Sequence, residues 1–275
     1  MFWKKESQSP VGLIAGRGQL PLVFAKAARC SGRRIVAFGL KGQTDAHLKG
    51  LVEKFFEIEL GQVGKLISLL KENKLKGVVL AGGIPKKEMY NPALDLDTHA
   101  QYLMNGAKNR GDDHLLRAFG IFLKTKAGVD VLDLRMLLKD TLAHTGVMTR
   151  TAPDTEEWED LKFGHEAAKM VGRLDIGQTV VVKRGVVLAV EALEGTDEAI
   201  RRGAELGNGR VVVVKTSKPK QDLRFDLPCV GLDTLDGLKA QNSKVLGVEA
   251  GKTIMLEKQK MIEFADRQGL VIVGL

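Results

Sequence analysis

Short apolar runs rich in β-branched residues alternate with stretches of helical periodicity in the first part of the chain. The apolar runs lie at Val11–Ala15, Arg34–Leu40, Phe55–Leu60, Lys76–Ala81 and Asp130–Leu134, and helical stretches lie at Pro21–Ser31, at Gln62–Asn73 and from Asp112 onward. Strands that alternate with helices are joined by crossovers, which favours a parallel sheet with helices on both faces. The alternation therefore predicts an α/β fold that begins with a Rossmann-like, doubly wound sheet.

The second half of the chain also predicts an α/β domain, but with strands of mixed direction. Its strands are predicted at Thr179–Lys183, Val186–Glu191, Arg210–Lys215, Val230–Leu232, Val245–Val248, Thr253–Leu256 and Leu270–Gly274, and its helices at Glu156–Arg173, Asp197–Leu206, Thr234–Gln241 and Gln259–Gln268. Lys183-Arg184-Gly185 indicates a hairpin, and so an antiparallel pair. A polar connector with a proline at 146–157 divides an N-terminal Rossmann-like domain (1–145) from a C-terminal mixed α/β domain (158–275).

Charge, aromatic content and cysteine content limit the classes of function that the chain could have. The formal net charge of the 275 residues is +8, which favours an anionic partner, and 44% hydrophobic residues suffice for a core. Aromatic residues make up only 5%, too few to indicate stacking on single-stranded nucleic acid, so we expect no nucleic-acid partner. Two cysteines far apart indicate neither a zinc site nor a disulfide scaffold. Without an apolar run at the N-terminus or one long enough to span a membrane, we expect a cytoplasmic protein.

A glycine turn follows the first predicted strand. Gly16-Arg17-Gly18 precedes a helix that begins near Leu20-Pro21, and this places backbone N–H groups where a phosphate could bind. The third glycine of a dinucleotide fingerprint is absent, and so is the acidic residue that would bind a ribose. The turn therefore indicates either a different nucleotide or a tight turn without a ligand. Candidate binding residues here are Gly16, Arg17, Gly18 and Leu20, together with Gly82 and Gly83 after the neighbouring strand.

Five charged signatures follow apolar runs in the second half. They begin at Gly172, Val190, Lys215, Arg224 and Gly247, and they bring carboxylates and lysines to strand ends. In α/β sheets, strand ends and the loops that follow them carry the working groups. Carboxylates gathered with lysines indicate a metal-assisted reaction on a phosphorylated substrate.

Several of these motifs, in this order, resemble one family. They are Gly12-Leu13-Ile14-Ala15-Gly16-x-Gly18-x-Leu20-Pro21, Arg110-Gly111-Asp112-Asp113-x-Leu115-Leu116-Arg117, Gly172-Arg173-Leu174-Asp175-Ile176-Gly177-Gln178, Leu188-Ala189-Val190-Glu191-Ala192-x-Glu194-Gly195-Thr196-Asp197 and Asp226-Leu227-Pro228-x-x-Gly231. The chain resembles, from about Val11 to its C-terminus, the UDP-2,3-diacylglucosamine pyrophosphatases of the LpxI type. It departs from the family pattern at Arg17, where a small residue is expected, and at Cys229, where a threonine is more typical.

The resemblance implies a step of lipid A biosynthesis. UDP-2,3-diacylglucosamine would be hydrolysed to 2,3-diacylglucosamine 1-phosphate (lipid X) and UMP, by water attack on the phosphorus next to the sugar. It also implies Mg²⁺ (or Mn²⁺), a homodimer, and a cytoplasmic enzyme that works peripherally at the inner-membrane surface of a Gram-negative bacterium.

Within this resemblance, particular residues are candidates for the chemistry. Asp226 is the first choice for orienting or deprotonating water or for binding metal, and Lys218 for stabilising phosphate charge. Glu191 and Asp197 are further metal candidates, because magnesium prefers oxygen ligands. Substrate contacts are expected from Asp112, Asp113, Asp175, Gln178, Gly195 and Thr196.

Each candidate has a purely structural alternative. Asp226 could pair with Arg224, Glu191 with a lysine, and Lys218 could belong to a solvated basic loop. Thr196 could be only a helix N-cap, and Asp175 and Gln178 could only shape a turn. Two functional alternatives remain: a non-catalytic protein that binds nucleotides or nucleic acid, and a soluble nucleotide-sugar pyrophosphatase.

Overall fold

The computed structural model describes residues 9–84, 88, 94–106 and 112–275, and of residues 106, 112 and 113 it describes only the backbone. The described chain forms two compact units. Unit 1 extends to Lys139 and also includes Asp222–Asp226, and unit 2 comprises Asp140–Gln221 and Leu227–Leu275. In the described ranges, no helix is long and apolar enough to cross a membrane.

Unit 1 is built on a parallel five-stranded sheet. Its strands are β1 (Val11–Ala15), β2 (Ile35–Leu40), β3 (Lys54–Ile58), β4 (Gly77–Ala81) and β5 (Asp130–Val131), in the order β3-β2-β1-β4-β5. This is the strand order of the doubly wound dinucleotide-binding fold, as the alternation predicts. The order reverses between β1 and β4, and the crevice outside their carboxyl ends is where such sheets bind ligands.

Helices of unit 1 follow from amphipathic segments between the strands. They are α1 (Leu20–Cys30), α2 (Val63–Glu72), α3 (Thr98–Gly106) and α4 (Asp112–Ala127), with 3-10 turns at Ala46–Leu51, Leu134–Met136 and, at the junction of the units, Lys139–Thr141. Leu66 and Leu70 of α2 and Leu123 of α4 pack with Phe38 and Val78 of the sheet in one core cluster.

Unit 2 contains a six-stranded mixed sheet. Its strands are β6 (Gly146–Val147), β7 (Thr179–Lys183), β8 (Val186–Val190), β9 (Val212–Lys215), β11 (Val245–Val248) and β13 (Val271–Gly274), in the order β6-β13-β11-β9-β7-β8. β9, β11 and β13 are parallel, whereas β7 runs antiparallel to β8 and β9. The predicted hairpin at Arg184-Gly185 and the mixed direction are confirmed. A separate parallel pair joins β10 (Cys229–Val230) and β12 (Ile254–Met255).

Both faces of the unit 2 sheet are covered by helices. The helix α5 (Thr155–Arg173) packs Leu161 and Ala168 against one face. The other face packs against α6 (Thr196–Gly207), α7 (Leu232–Ala240) and α8 (Lys258–Gln268). Two helical layers around a central sheet bury the β-branched strands on both sides. Because both faces of each strand are buried, the strand sequences are continuous apolar runs.

Two details differ from the sequence expectations. The strand expected at Asp130–Leu134 ends at Val131, because Asp133 caps a 3-10 turn and also binds the guanidinium of Arg135 at 2.6 Å. The residues of the expected connector 146–157 include β6 and the start of α5, and these belong to unit 2. The boundary between the two units, at Lys139–Asp140, thus lies shortly before the expected connector.

The segment Asp222–Asp226 joins unit 1 although its neighbours in sequence belong to unit 2. Phe225 explains this placement, since its ring packs on the unit 1 core and lies against Gly120 of α4. A Cβ atom at Gly120 would be only 2.5 Å from that ring. Asp226, the first choice for a catalytic carboxylate, is therefore held by unit 1.

Candidate functional site

The glycine turns after β1 and β4 meet at the point where the strand order reverses. The Arg17 N–H donates to the Gly83 carbonyl oxygen at 2.8 Å, and the Gly83 N–H donates to the Arg17 oxygen at 3.0 Å. Gly82 has φ +85°, and a Cβ atom there would lie 2.6 Å from the Arg17 carbonyl oxygen. The glycines are therefore needed for close contact between the two turns, whether or not a ligand also binds there.

The predicted residues of the two turns differ in exposure. Arg17, Gly18, Gly82 and Gly83 are exposed, whereas the side chain of Leu20 is buried. The structure thus brings Gly16–Gly18 and Gly82–Gly83 together at the carboxyl ends of β1 and β4, and the Leu20 side chain is buried in the packing of unit 1.

A second group of predicted residues meets at one edge of the unit 2 sheet. Glu191 follows β8, Gln178 precedes β7, and Lys215 ends β9, and because β7 is antiparallel to both neighbours these three positions lie at the same edge. Gly177 is required here, since a Cβ atom would lie 1.9 Å from the Glu191 carbonyl oxygen.

A chain of hydrogen bonds joins the charged groups at this edge. Lys215 Nζ donates to Thr196 Oγ1 at 3.0 Å, and Thr196 Oγ1 donates to Glu191 Oε1 at 3.0 Å. The N-cap of α6 is Gly195, so the interpretation of Thr196 as an N-cap is wrong. Among the described residues, Glu191 is linked to a lysine through this hydroxyl and not directly. Lys215 is buried, and it was not among the candidates predicted from the sequence.

Several buried oxygens at the same edge have no hydrogen-bond partner among the described residues. They are Gln178 Oε1, Thr179 Oγ1, Glu191 Oε2 and Thr216 Oγ1. An unsatisfied buried oxygen is costly, and such groups in a native fold call for an explanation such as a ligand, an ion or a water molecule. Their concentration at one sheet edge marks this edge as a candidate site for a polar ligand.

Lys218 does not belong to a solvated loop. Its side chain is 4% exposed and its ammonium group forms an ion pair with Asp175, which has φ +58° in the turn after α5. The two predicted residues Lys218 and Asp175 are therefore brought together, and Asp175 orients the ammonium group.

A network that sequence reasoning missed supports the Lys218 loop. Glu249 follows β11 and accepts hydrogen bonds from Lys169 Nζ at 2.6 Å, from Ser217 N at 2.8 Å and from Lys252 Nζ at 2.8 Å. Burial raises the pKa of Glu249, but the hydrogen bonds from Lys169, Lys252 and Ser217 outweigh it and lower the pKa to about 2. The signal was present in the sequence, because Glu249 interrupts an apolar run at a strand end as Glu191 does.

The remaining predicted residues lie elsewhere. Arg224 binds Asp222 at 2.6 Å, and Asp226 is half-buried in the same segment of unit 1. Asp197 is exposed in the first turn of α6. The side chains of Asp112 and Asp113 lie outside the described part. Where side chains are described, no three of the His, Cys, Asp or Glu type gather into a group that could hold a metal ion, so Asp226, Glu191 and Asp197 do not form such a cluster.

The fold and these strand-end groups define a two-unit α/β protein, with two glycine turns at the switch point of one sheet and buried ionic groups at an edge of the other. The LpxI N-terminal domain model matches residues 10–141, and the LpxI C-terminal domain model matches residues 144–273. A relative from Caulobacter vibrioides, "UDP-2,3-diacylglucosamine pyrophosphatase LpxI", is 31% identical over 96% of this chain and 97% of its own. The chain belongs to the LpxI family.

Two solved structures match the chain only weakly. A biotin carboxylase domain of a thermophilic 2-oxoglutarate carboxylase matches 62% of this chain and 34% of its own length, with 11% identity and a TM-score of 0.29. The Cj0485 dehydrogenase covers 90% of this chain and 69% of its own, with 13% identity and the same TM-score of 0.29. These scores are too low to indicate a shared overall fold.

Proposed function

We propose that this protein hydrolyses the pyrophosphate bond of UDP-2,3-diacylglucosamine and releases 2,3-diacylglucosamine 1-phosphate and UMP. The observation that carries the proposal is the 31% identity, over 96% of the chain, to a relative named for this pyrophosphatase activity. Water attacks the phosphorus next to the sugar, the bond from that phosphorus to the bridging oxygen breaks, and UMP leaves.

Lysines at the unit 2 edge supply positive charge for the phosphates. The negative charge of a pyrophosphate repels the electron pair of an incoming nucleophile. Fixed cations that stabilise the negative charge of the transition state lower the activation barrier of hydrolysis. Lys218 is buried and oriented by Asp175, so its ammonium group is preorganised before the substrate binds. Lys215 is also buried and is held through Thr196.

Asp226 orients or deprotonates the attacking water in this proposal. A carboxylate held in a fixed position is suited to general-base catalysis, which typically contributes about 100-fold or more to a rate. Phe225 anchors its backbone to the unit 1 core, and the following Leu227-Pro228 pair is buried, so the chain fixes Asp226 on both sides.

The unpartnered oxygens of unit 2 fit a hard divalent cation. Within the part of the chain that the structure describes, Glu191 Oε2 and Gln178 Oε1 are buried oxygens without hydrogen-bond partners. Magnesium commonly takes only one or two carboxylates, with phosphates and water as its other ligands. In this proposal Glu191 would hold Mg²⁺ or Mn²⁺ on unit 2, and phosphate oxygens of the substrate and water would complete its ligands. The ion would neutralise phosphate charge when bound.

The proposal also includes the oligomeric state of the enzyme, its location and its partners. It acts as a homodimer in the cytoplasm, peripherally at an inner-membrane surface, and its substrate is a lipid-linked nucleotide sugar. The net charge of +8 supports attraction to an acidic lipid surface. Nucleic acid is not a partner in this proposal.

The direct test measures UMP release from UDP-2,3-diacylglucosamine by the wild type and by Asp226→Asn, with magnesium or with a chelator. We expect metal-dependent release and a loss of about 100-fold or more in the variant. Asp222→Asn is the matched control, because Asp222 lies in the same segment and binds Arg224. No UMP from folded wild type under either condition would defeat the proposal, and equal losses in both variants would make the role of Asp226 structural.

Two further measurements separate the alternatives. Hydrolysis in oxygen-18 water should place the label in the sugar phosphate, and label found only in UMP would contradict attack next to the sugar. Rapid turnover of unacylated UDP-glucosamine would favour a soluble nucleotide-sugar pyrophosphatase.

A further inference from the structure

The helix α5 carries a second apolar stripe on the side that faces away from the unit 2 sheet. Its sheet-facing side is buried through residues such as Leu161 and Ala168. On the opposite side Phe163 is 40% exposed, Met170 is 60% exposed and Leu174, at the C-cap, is 74% exposed. A surface helix normally buries one apolar stripe and exposes polar residues elsewhere, so a second stripe indicates a further contact.

The spacing of this stripe is typical of a helix that packs along another helix. The stripe consists of Phe163, Ala167, Met170 and Leu174, which follow one another at intervals of 4, 3 and 4 residues. Alternating intervals of three and four place the side chains in one narrow seam, as at the a and d positions of a coiled coil. The partner that fits this surface is therefore an α-helix with a matching seam.

A second copy of α5 provides that matching seam when the two helices run antiparallel. The four positions are symmetric about the midpoint between residues 168 and 169, so reversal of the helix exchanges Phe163 with Leu174 and Ala167 with Met170. A twofold contact requires such self-complementarity, because the same surface is used by both copies. In the antiparallel pair Phe163 meets the partner's Leu174, and the small Ala167 accommodates the partner's Met170.

Charges beside the seam favour the same arrangement. Glu166 and Arg173 lie seven residues apart on one flank of the stripe, and both are exposed. Neither takes part in an ion pair with another described residue. Charged residues on the flanks of a helix pair set its partner and its orientation. An antiparallel second copy brings Glu166 of each subunit beside Arg173 of the other, which gives two pairs of opposite charge.

A membrane fits this face less well than a second copy does. Acidic lipid surfaces attract clusters of lysine and arginine. The solvent-facing side of α5 instead mixes both signs, because it carries Glu159 and Glu166 together with Lys162 and Arg173. Alternating charge suits a protein surface of the same composition.

Two further exposed apolar side chains extend the seam at the ends of α5. Ile176, which follows the C-terminal end, is 41% exposed. Val186 is 56% exposed and belongs to the hairpin whose Arg184 pairs with Glu156, in the first turn of α5, at 2.8 Å. The interface of a stable dimer typically buries about 1,600 Å² in total, and these two residues add apolar surface to that of the stripe.

We propose that the stripe Phe163-Ala167-Met170-Leu174 is the surface through which two copies of this chain pair, with their α5 helices antiparallel about a twofold axis. The assignment rests on the homodimer included in the proposed function. It adds the surface, the orientation of the two helices and the charge pairs that hold them in register.

Sedimentation equilibrium over a range of protein concentrations measures the dissociation constant of the dimer. Met170→Glu places a charge at the centre of the seam, and Leu206→Glu is the matched control, because Leu206 is 66% exposed on α6, which covers the other face of the sheet. Glu166→Arg and Arg173→Glu are made singly and together, since the double variant restores opposite charges across the antiparallel pair. Thermal unfolding verifies that each variant folds.

We expect the wild type and Leu206→Glu to dimerise equally well. Met170→Glu should raise the dissociation constant about 100-fold or more, because the seam would bury two unpaired carboxylates. Each single charge variant should raise it about tenfold, because it places like charges together, and the double variant should return it to within about threefold of the wild type.

Several outcomes would overturn the assignment. A dimer that Met170→Glu leaves as tight as the wild type would place the interface elsewhere. Equal weakening in the single and the double charge variants would refute the antiparallel register. A wild type that stays monomeric at every concentration would refute the pairing, and binding of that monomer to phosphatidylglycerol vesicles, lost in Met170→Glu, would assign the stripe to a membrane instead.

UMP release from UDP-2,3-diacylglucosamine is assayed on the same wild-type sample, so that the two proposals fail separately. Hydrolysis by a monomer, or by a dimer that is indifferent to Met170→Glu, would overturn the interface and leave the reaction standing. A dimer that Met170→Glu dissociates but that releases no UMP would leave the interface standing without the reaction.

Discussion

Glu249→Gln tests whether the buried ion network of unit 2 depends on the charge of one carboxylate. The side chain of Glu249 is 8% exposed, and its pKa is lowered from an ordinary 4.5 to about 2. A shift of one unit corresponds to about 1.4 kcal/mol, so ionised Glu249 contributes about 3 kcal/mol to stability at neutral pH. Glutamine keeps the shape but leaves Lys169 without its carboxylate partner, so we expect a loss of about 3 kcal/mol.

The pH dependence of this loss gives the second part of the prediction. Because the folded pKa is the lower one, the contribution is complete above the unfolded value of 4.5 and disappears as pH falls toward about 2. The difference between wild type and Glu249→Gln should therefore be constant from pH 7 to about pH 5.5 and should shrink by about 1 kcal/mol by pH 4.

Urea unfolding, followed by tryptophan fluorescence, measures both the loss of unfolding free energy in Glu249→Gln and its change with pH. Trp158 lies on α5, the helix that carries Lys169, and packs against the unit 2 core, so it reports on this unit. A Trp3→Phe background removes the other tryptophan. Glu198→Gln is the control: Glu198 pairs with Arg201 at 2.8 Å but is 53% exposed, and exposed ion pairs contribute little to stability.

The reasoning is refuted if Glu249→Gln costs no more than Glu198→Gln. It is equally refuted if the difference from wild type stays constant between pH 7 and pH 4. Either result would mean that the network does not stabilise the ionised carboxylate in the folded state.

Three further predictions concern local parts of the fold. Gly82→Ala should destabilise unit 1 by about 2 kcal/mol, owing to its positive φ and the close Arg17 oxygen, whereas Gly83→Ala, with open space around its Cβ position, should be nearly neutral in chemical denaturation. Asp160→Ala should cost about 2 to 3 kcal/mol in the same assay, because the buried carboxylate accepts the hairpin N–H groups of residues 184 and 185 at 2.8 and 2.7 Å. Phe225→Ala should lower kcat at least tenfold by releasing the segment that holds Asp226, and a kcat within twofold of wild type would contradict this.

The elements of the fold could be predicted because each depends on local pattern. The β-branched runs and the amphipathic stretches between them gave most strands and most helices within one or two residues, and the hairpin at Arg184-Gly185 follows from its turn residues. The exceptions among the strands are β5, which ends three residues earlier than expected, and β6, which was assigned to the connector. The helix α3 (Thr98–Gly106) was missed, since its apolar pattern is weak and its position depends on the contact of Asp97 with α2.

Candidate site residues were only partly separable from structural ones by sequence. Selection of charged residues at strand ends found Glu191, Lys218 and Asp175, which the structure places at the unit 2 edge or in a buried ion pair. Lys215 and Glu249 lie in the signatures that begin at Lys215 and Gly247, but they were not chosen as candidates, because a lysine or glutamate at the end of an apolar run is equally compatible with a surface position. Only burial distinguishes the two cases.

The sequence by itself determined the order of strands and helices, the family and the residues available for chemistry, because these depend on neighbours along the chain. Tertiary structure alone decided that Asp222–Asp226 packs with unit 1, that the turns at Gly16 and Gly82 join, and that Glu249 binds Lys169 across 80 positions. The physical reason is that packing and buried ion pairs depend on distances in space between residues remote in sequence, and no local pattern records those distances.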